Sequence, residues 1–151
     1  DVYKRQADGD ALAGHIKPGT QVTGLTQNID FAPTFLDMCG ISIPQDMQGV
    51  SFKELVEKGK TPRDWRKSLY YHYYEFPGFH SVRAHYGVKM ERYKLMHFYV
   101  DDNWELYDLK TDPEEMHNLY GKKGMEKITT ELKAELARLQ KEYDVPQELC
   151  R

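Results

Sequence analysis

The chain has 151 residues, the length of one ordinary domain and enough to bury a core without a disulfide framework or a structural metal. Its 21 basic and 24 acidic residues leave a formal net charge of −3, which argues against a nucleic-acid-binding module. A composition of 40% hydrophobic and 13% aromatic residues excludes disorder as the default, and no run of roughly 18 or more apolar residues is present to span a membrane.

Residues 1–27 carry Gly9, Gly14, Gly19 and Gly24 and a Lys17-Pro18-Gly19-Thr20 turn signal, so they read as loop. With no Met at position 1 and no apolar signal-type stretch, a truncated beginning is expected. The first predicted helix covers residues 30–40. Asp30 stands as its N-cap, Pro33 falls in the first turn and Gly40 suits the C′ position. Phe31, Phe35, Leu36 and Met38 or Cys39 form its apolar stripe, and Cys39 is expected to pack as a small core hydrophobe. Cys150 lies one residue from the C-terminus. Neither cysteine has a general base or a Gly-rich turn beside it in sequence, so neither reads as a nucleophile.

An extended stretch at 41–44 leads to a second helix at 50–58, with Ser51 and Glu54 spaced as a capping box. From residue 68 the period changes. Strands are predicted at 68–75, 82–90, 93–100 and 104–109, with a break at Phe76-Pro77-Gly78 and turns at Glu91-Arg92 and Asp101-Asp102-Asn103. A short helix is expected to start with Asp112 as cap, Pro113 at N1 and Glu115 at N3, and to stop before Gly121. The last helix, 124–143, aligns Ile128, Leu132, Leu136, Leu139 and Tyr143 on one face and turns Lys127, Glu131, Lys133, Glu135 and Arg138 to water. The expected fold is α+β: a small antiparallel sheet of about four strands against a long C-terminal amphipathic helix, preceded by short helices. The expected organisation is a loop at 1–27, connecting helices at 28–67 and a C-terminal subdomain at 68–151.

The chain has no Gly-x-Ser-x-Gly, P-loop, Gly-x-Gly-x-x-Gly or His-Glu-x-x-His motif, and no Cys/His set with zinc spacing. No catalytic residue is therefore assigned. The best constellation is His80-Ser81-Val82-Arg83-Ala84-His85. Arg83 and His85 would share one face of a strand, and His80 could approach that face from the loop. Two imidazoles and a guanidinium suit a sulfate, phosphate or carboxylate. The alternative is that Arg83 pairs with a carboxylate while the histidines are half-buried sheet residues. A metal is the weakest reading, because no acidic third ligand is in register. The run Tyr70-Tyr71-His72-Tyr73-Tyr74-Glu75 reads either as cross-strand packing or as a wall for a sugar. His97 and His117 are read as structural or solvated.

Three segments resemble the C-terminal part of type I, formylglycine-dependent sulfatases of the alkaline-phosphatase-like superfamily. They are Ile16-Lys17-Pro18-Gly19-Thr20 followed by Thr26 through Asp30-Phe31-Ala32-Pro33-Thr34 to Gly40-Ile41, then Met47-Gln48-Gly49-Val50-Ser51-Phe52, and finally a longer block. That block runs Gly87-Val88-Lys89 through Arg92-Tyr93-Lys94-Leu95, then Trp104-Glu105-Leu106-Tyr107-Asp108-Leu109 and Asp112-Pro113, with Glu115 and Asn118-Leu119 following. It carries the most specific signal, and the resemblance covers about residues 15–121. Asp1 to Gln6 have no counterpart in it and can be read as non-native. The nearest pattern is that of N-sulphoglucosamine sulphohydrolase or N-acetylglucosamine-6-sulfatase.

The resemblance implies a sulfuric ester hydrolase whose Ca²⁺ and formylglycine lie in an N-terminal catalytic domain outside this chain. Cys39 is followed by Gly40-Ile41-Ser42, so the family's Cys/Ser-x-Pro/Ala-x-Arg motif is not met, and this chain alone is expected to be inactive. What can be carried over is substrate contact, by His80, Arg83 and His85, to a sulfated amino sugar such as glucosamine 6-sulfate. The resemblance also implies a periplasmic or extracellular home and a part in degrading glycosaminoglycans or mucins. The alternatives are a phosphonate or phosphodiester hydrolase of the same superfamily, and a free-standing sugar-binding module.

Overall fold

Apolar residues alternate along 68–109 and recur at helical spacing along 124–143, and the tertiary structure follows that change of period. In the computed structural model, which describes residues 15–146, the chain divides into two compact units at the Arg66–Lys67 boundary.

The first unit is built around a buried carboxylate. A 3-10 turn at Asn28–Asp30 leads into α1 (Phe31–Met38), and α2 follows at Lys53–Lys58. Asp30 does occupy the N-cap of α1, but its side chain makes no capping bond to that helix. It is 0% exposed and accepts the Gln27 N–H at 2.7 Å, the Val50 N–H at 2.9 Å and Arg66 Nη2 at 2.8 Å. Those bonds gather the loop, the approach to α2 and the end of the unit around one charge, and pairing with Arg66 offsets the desolvation of the carboxylate. Thr34 extends the arrangement, donating to the Asp30 carbonyl at 2.5 Å and accepting the Phe52 N–H at 3.0 Å. Gly40, at φ +68°, ends α1 in a Schellman arrangement: its N–H donates to Asp37 and that of Ile41 to Leu36.

Two expectations fail in this unit. The capping box of α2 does not form: Ser51 Oγ donates to Asp37 Oδ2 at 2.6 Å, and Glu54 pairs with Lys58 one turn on. The face of α1 that is buried is that of Pro33 and Thr34, so Phe31 and Phe35 face outward and Cys39 is exposed rather than packed as a core hydrophobe. Hydrogen bonding at Asp30 and Thr34 decides which face turns in, against the hydrophobic stripe.

In the second unit, β1 (Ser68–Tyr73), β2 (His85–Met90), β3 (Tyr93–Phe98) and β4 (Asn103–Asp108) form an antiparallel meander in the order β1-β2-β3-β4. Tyr70, Val88, Leu95 and Leu106 lie in register across the four strands. The last three are buried against Leu132, Leu136 and Leu139 of α3 (Glu126–Glu142). Period 2 on the sheet meets period 3.6 on the helix, and one layer of apolar side chains serves both. On the other face Tyr71 pairs with Gly87. A side-chain carbon at Gly87 would come within 2.5 Å of the Tyr71 hydroxyl and 2.4 Å of the Leu95 carbonyl, so only glycine lets the ring lie across the strand.

β1 and β2 are shorter than expected, ending at Tyr73 and starting at His85. The short helix predicted from Asp112 is absent. Asp112 does accept two backbone N–H groups, but those of Met116 at 3.1 Å and His117 at 2.8 Å, because Glu115 turns the chain at φ +55°. Asn118 then knits the segment to β4. Its Oδ1 accepts the Leu106 and Tyr120 N–H groups, and its Nδ2 donates to the Trp104 carbonyl. Lys133 and Glu135 do not simply face water either. Lys133 donates to Tyr120 Oη at 2.7 Å and lies 4.0 Å over the Trp104 ring, while Glu135 accepts from Ser68.

Candidate functional site

The sheet has one end at which a loop and a turn come together. Residues 74–84 connect β1 to β2, and residues 99–102 connect β3 to β4. Both connections emerge at the same end of the meander. They are joined by an ion pair between Arg83 and Asp101.

The loop is held by its own backbone. The Phe76 N–H donates to the Tyr74 carbonyl at 2.9 Å, and the Ser81 N–H donates to the Gly78 carbonyl at 3.0 Å, closing a tight turn. Ser81 adopts φ +50°, a left-handed conformation that side-chain-bearing residues seldom take. Phe79 and His80 occupy the tip of that turn, both exposed, with the two rings edge to face at 5.3 Å. Ala84 is buried and anchors the exit into β2.

The three residues singled out from sequence are placed differently from one another. Arg83 lies just before β2 rather than on it, so strand alternation does not set its direction. It is exposed and its guanidinium donates to Asp101, as the carboxylate-pairing alternative holds. His85, the first residue of β2, is half-buried. Its Nδ1 donates to the Arg83 carbonyl at 2.8 Å, which leaves Nε2 as the acceptor of the neutral ring. The ring stacks on Tyr73 at 5.7 Å and meets Phe98 at 5.0 Å. His80 shares the loop with Arg83, and its ring contact is with Phe79.

A second row of polar aromatics crosses the same end of the sheet on the α3 side. The register aligns His72, Tyr86, His97 and Trp104. Asp102 accepts from His97 Nε2 at 2.9 Å, so in the neutral ring Nδ1 accepts from Tyr86 Oη at 2.8 Å. His97 is stacked on Trp104 with centroids 4.1 Å apart. His72 shares a 2.8 Å hydrogen bond with Tyr70 Oη and stacks on Tyr74 at 3.8 Å. Burial holds its pKa down to about 4, with the nearby His85 adding to the effect, so this ring is neutral near pH 7. Sequence reasoning read His97 as structural or solvated; the structure buries it within this row. Its alternation with Leu95 on β3 was the available signal.

Chemically, the end of the sheet offers aromatic surface, imidazoles and one guanidinium paired to a carboxylate. Among the described residues no group of three or more His, Cys, Asp and Glu could hold a metal ion. The sulfatase resemblance places its Ca²⁺ outside this chain, and no step through that ion is derived for these residues. Cys39, with Gly40-Ile41-Ser42 after it, does not fit formylglycine. No helix among the described residues is long and apolar enough to cross a membrane.

Residues 11–142 match the family described as N-sulphoglucosamine sulphohydrolase, C-terminal. An N-acetylglucosamine-6-O-sulfatase from Bacteroides thetaiotaomicron is 52% identical over 130 residues, covering 85% of this chain and 23% of that protein. A solved structure, described as in complex with its substrate D-glucosamine-2-N,6-O-disulfate, matches with a TM-score of 0.82 and 51% identity over 85% of this chain and 26% of the other. The phosphonate monoester hydrolase from Silicibacter pomeroyi matches more distantly, at a TM-score of 0.68 and 26% identity, covering 83% of this chain and 27% of the other. The chain thus spans about a quarter of the length of the relatives it matches. With the family match running from the first loop to the end of α3, the chain belongs to the N-sulphoglucosamine sulphohydrolase C-terminal family.

Proposed function

We propose that this chain is the C-terminal part of a sulfatase that hydrolyses sulfate esters of glucosamine-type sugars, and that it supplies substrate contacts rather than the nucleophile. The observation that carries this reading is the likeness, over 85% of the chain, to a structure described with a sulfated glucosamine as its substrate. In this reading the loop of residues 74–84 faces the sugar. His80 and Arg83 donate to sulfate or hydroxyl oxygens, and His85, held in one tautomer by the Arg83 carbonyl, offers Nε2 to a hydroxyl. The Asp101 carboxylate keeps the guanidinium in place and partly neutralises it, so Arg83 acts as an oriented donor more than as a free positive charge. The nucleophile and the Ca²⁺ of such enzymes lie outside this chain in this reading.

The test uses the full-length protein that carries this segment, assayed for sulfate release from glucosamine 6-sulfate. Arg83→Ala or His80→Ala is expected to raise KM by about tenfold, as the loss of one charge-assisted hydrogen bond does, with kcat within about twofold. Unchanged KM in both variants would remove these residues from the site. The 151-residue chain alone is expected to release no sulfate; turnover by it that persists under chelation would overturn the reading. The likeness to a phosphonate monoester hydrolase favours a second reading, in which the ester is a phosphonate. A higher kcat/KM for a phosphonate monoester than for the sulfated sugar would select it.

A further inference from the structure

Phe79 is 94% exposed, the most exposed of the large hydrophobic residues among those described. The turn that carries it is held by its own bonds. The Ser81 N–H bond to Gly78 closes that turn, and a side-chain carbon at Gly78 would come within 2.6 Å of Glu75 Cγ, so the backbone lies tightly on Glu75. At the foot of the loop the Arg83–Asp101 pair and the His85 bond to the Arg83 carbonyl fix the exit. Ser81 is held at φ +50° by that closure, a conformational cost retained at the tip of a loop, where strain in native structures tends to mark function.

The turn thus projects a bare aromatic ring with an imidazole set against it and a guanidinium three residues on from that imidazole. An apolar face next to hydrogen-bond donors matches one class of ligand well. A pyranose presents a patch of C–H bonds on one side and hydroxyl or sulfate oxygens at its rim. Its C–H patch covers an aromatic ring and its rim accepts from neighbouring donors. We infer that Phe79 is the stacking platform for the sugar ring of the substrate, with His80 donating to the rim of the same ring. This inference rests on the sulfatase reading above and adds to it a residue that determines sugar selectivity.

The experiment compares wild type, Phe79→Ala and Phe79→Trp in the full-length enzyme, with glucosamine 6-sulfate as substrate and unsulfated glucosamine as competitive inhibitor. Phe79→Ala is expected to raise KM and the inhibition constant by about tenfold with kcat within about twofold, while Phe79→Trp keeps both near wild type. An unchanged melting temperature is expected, since among the described residues the ring's contact is with exposed His80. A KM for Phe79→Ala within about twofold of wild type overturns the inference and leaves the sulfatase reading standing. A lowered melting temperature with no change in KM also overturns it, because the ring is then buried against another part of the protein. A wild-type enzyme that cleaves a phosphonate monoester and leaves the sulfated sugar intact overturns the sulfatase reading itself, and that outcome is visible before any variant is measured.

Discussion

His72 shows how one side chain can carry a solution-measurable signature of the fold. In the unfolded chain it titrates near the ordinary histidine value of 6.5, whereas in the folded protein burial holds it to about 4. Between those values the unfolded state binds more protons than the native state, so stability falls as the pH is lowered from 6.5 towards 4. For a fully differential proton the slope would be about 1.4 kcal/mol per pH unit; the ring is part-exposed, so a fraction of that is expected. His72→Gln should flatten this part of the profile, measured as the urea midpoint at a series of pH values. Equal slopes for both proteins would show that His72 is not the titrating group. None of this was readable from the run Tyr70-Tyr71-His72-Tyr73-Tyr74. Alternation there says that neighbours point to opposite faces, but not that the Tyr70 hydroxyl and the Tyr74 ring enclose the imidazole. Asp30 gives the same lesson: its sequence position marks it as an N-cap, yet partners 20 and 36 residues away claim its carboxylate.

At the scale of elements, the contact between α3 and the sheet is where burial outweighs everything else. Leu132 is fully buried among Leu95, Leu106 and its helix neighbours. Leu132→Ala is expected to cost about 2–5 kcal/mol in chemical denaturation, and Glu131→Ala, one position away on the exposed face, less than about 0.5 kcal/mol. Similar losses from both substitutions would mean that the helix does not pack as described. The strands and α3 were legible because a period holds over several residues and each repeat adds to the signal. The segment after Asp112 was misread because its start has sound helix chemistry, and nothing local warns that Asn118 will bond to the edge of β4 instead. A side chain that satisfies three backbone groups of its own segment and the neighbouring strand outweighs the weak preference of a short helix that packs on nothing.

At the scale of the whole molecule, the first unit leaves much apolar surface uncovered. Ile29, Phe35, Ile41 and Val50 all lie open, with Phe35 and Ile41 each 56% exposed. The aromatic stretch at 70–76 and Trp104 belong to the second unit. Of these, Tyr74 and Phe76 are exposed, but Trp104 is half-buried between His97 and Tyr120. Clustered apolar exposure of this kind drives association in water. The isolated chain is therefore expected to self-associate in sedimentation velocity, and the pair Phe35→Ser with Ile41→Ser to shift it towards monomer. A wild-type chain that stays monomeric at the highest attainable concentration would count against this.

The sequence by itself determined the α+β class, the order of the four strands, the long helix and the family, since each rests on periodicity or on residue types at short spacing. Only the tertiary structure decided which face of α1 turns inward and that Arg83 is paired with Asp101. Those features depend on groups far apart in the chain. A carboxylate or a carbonyl takes whichever donor the fold brings to it, and local pattern carries no record of that choice.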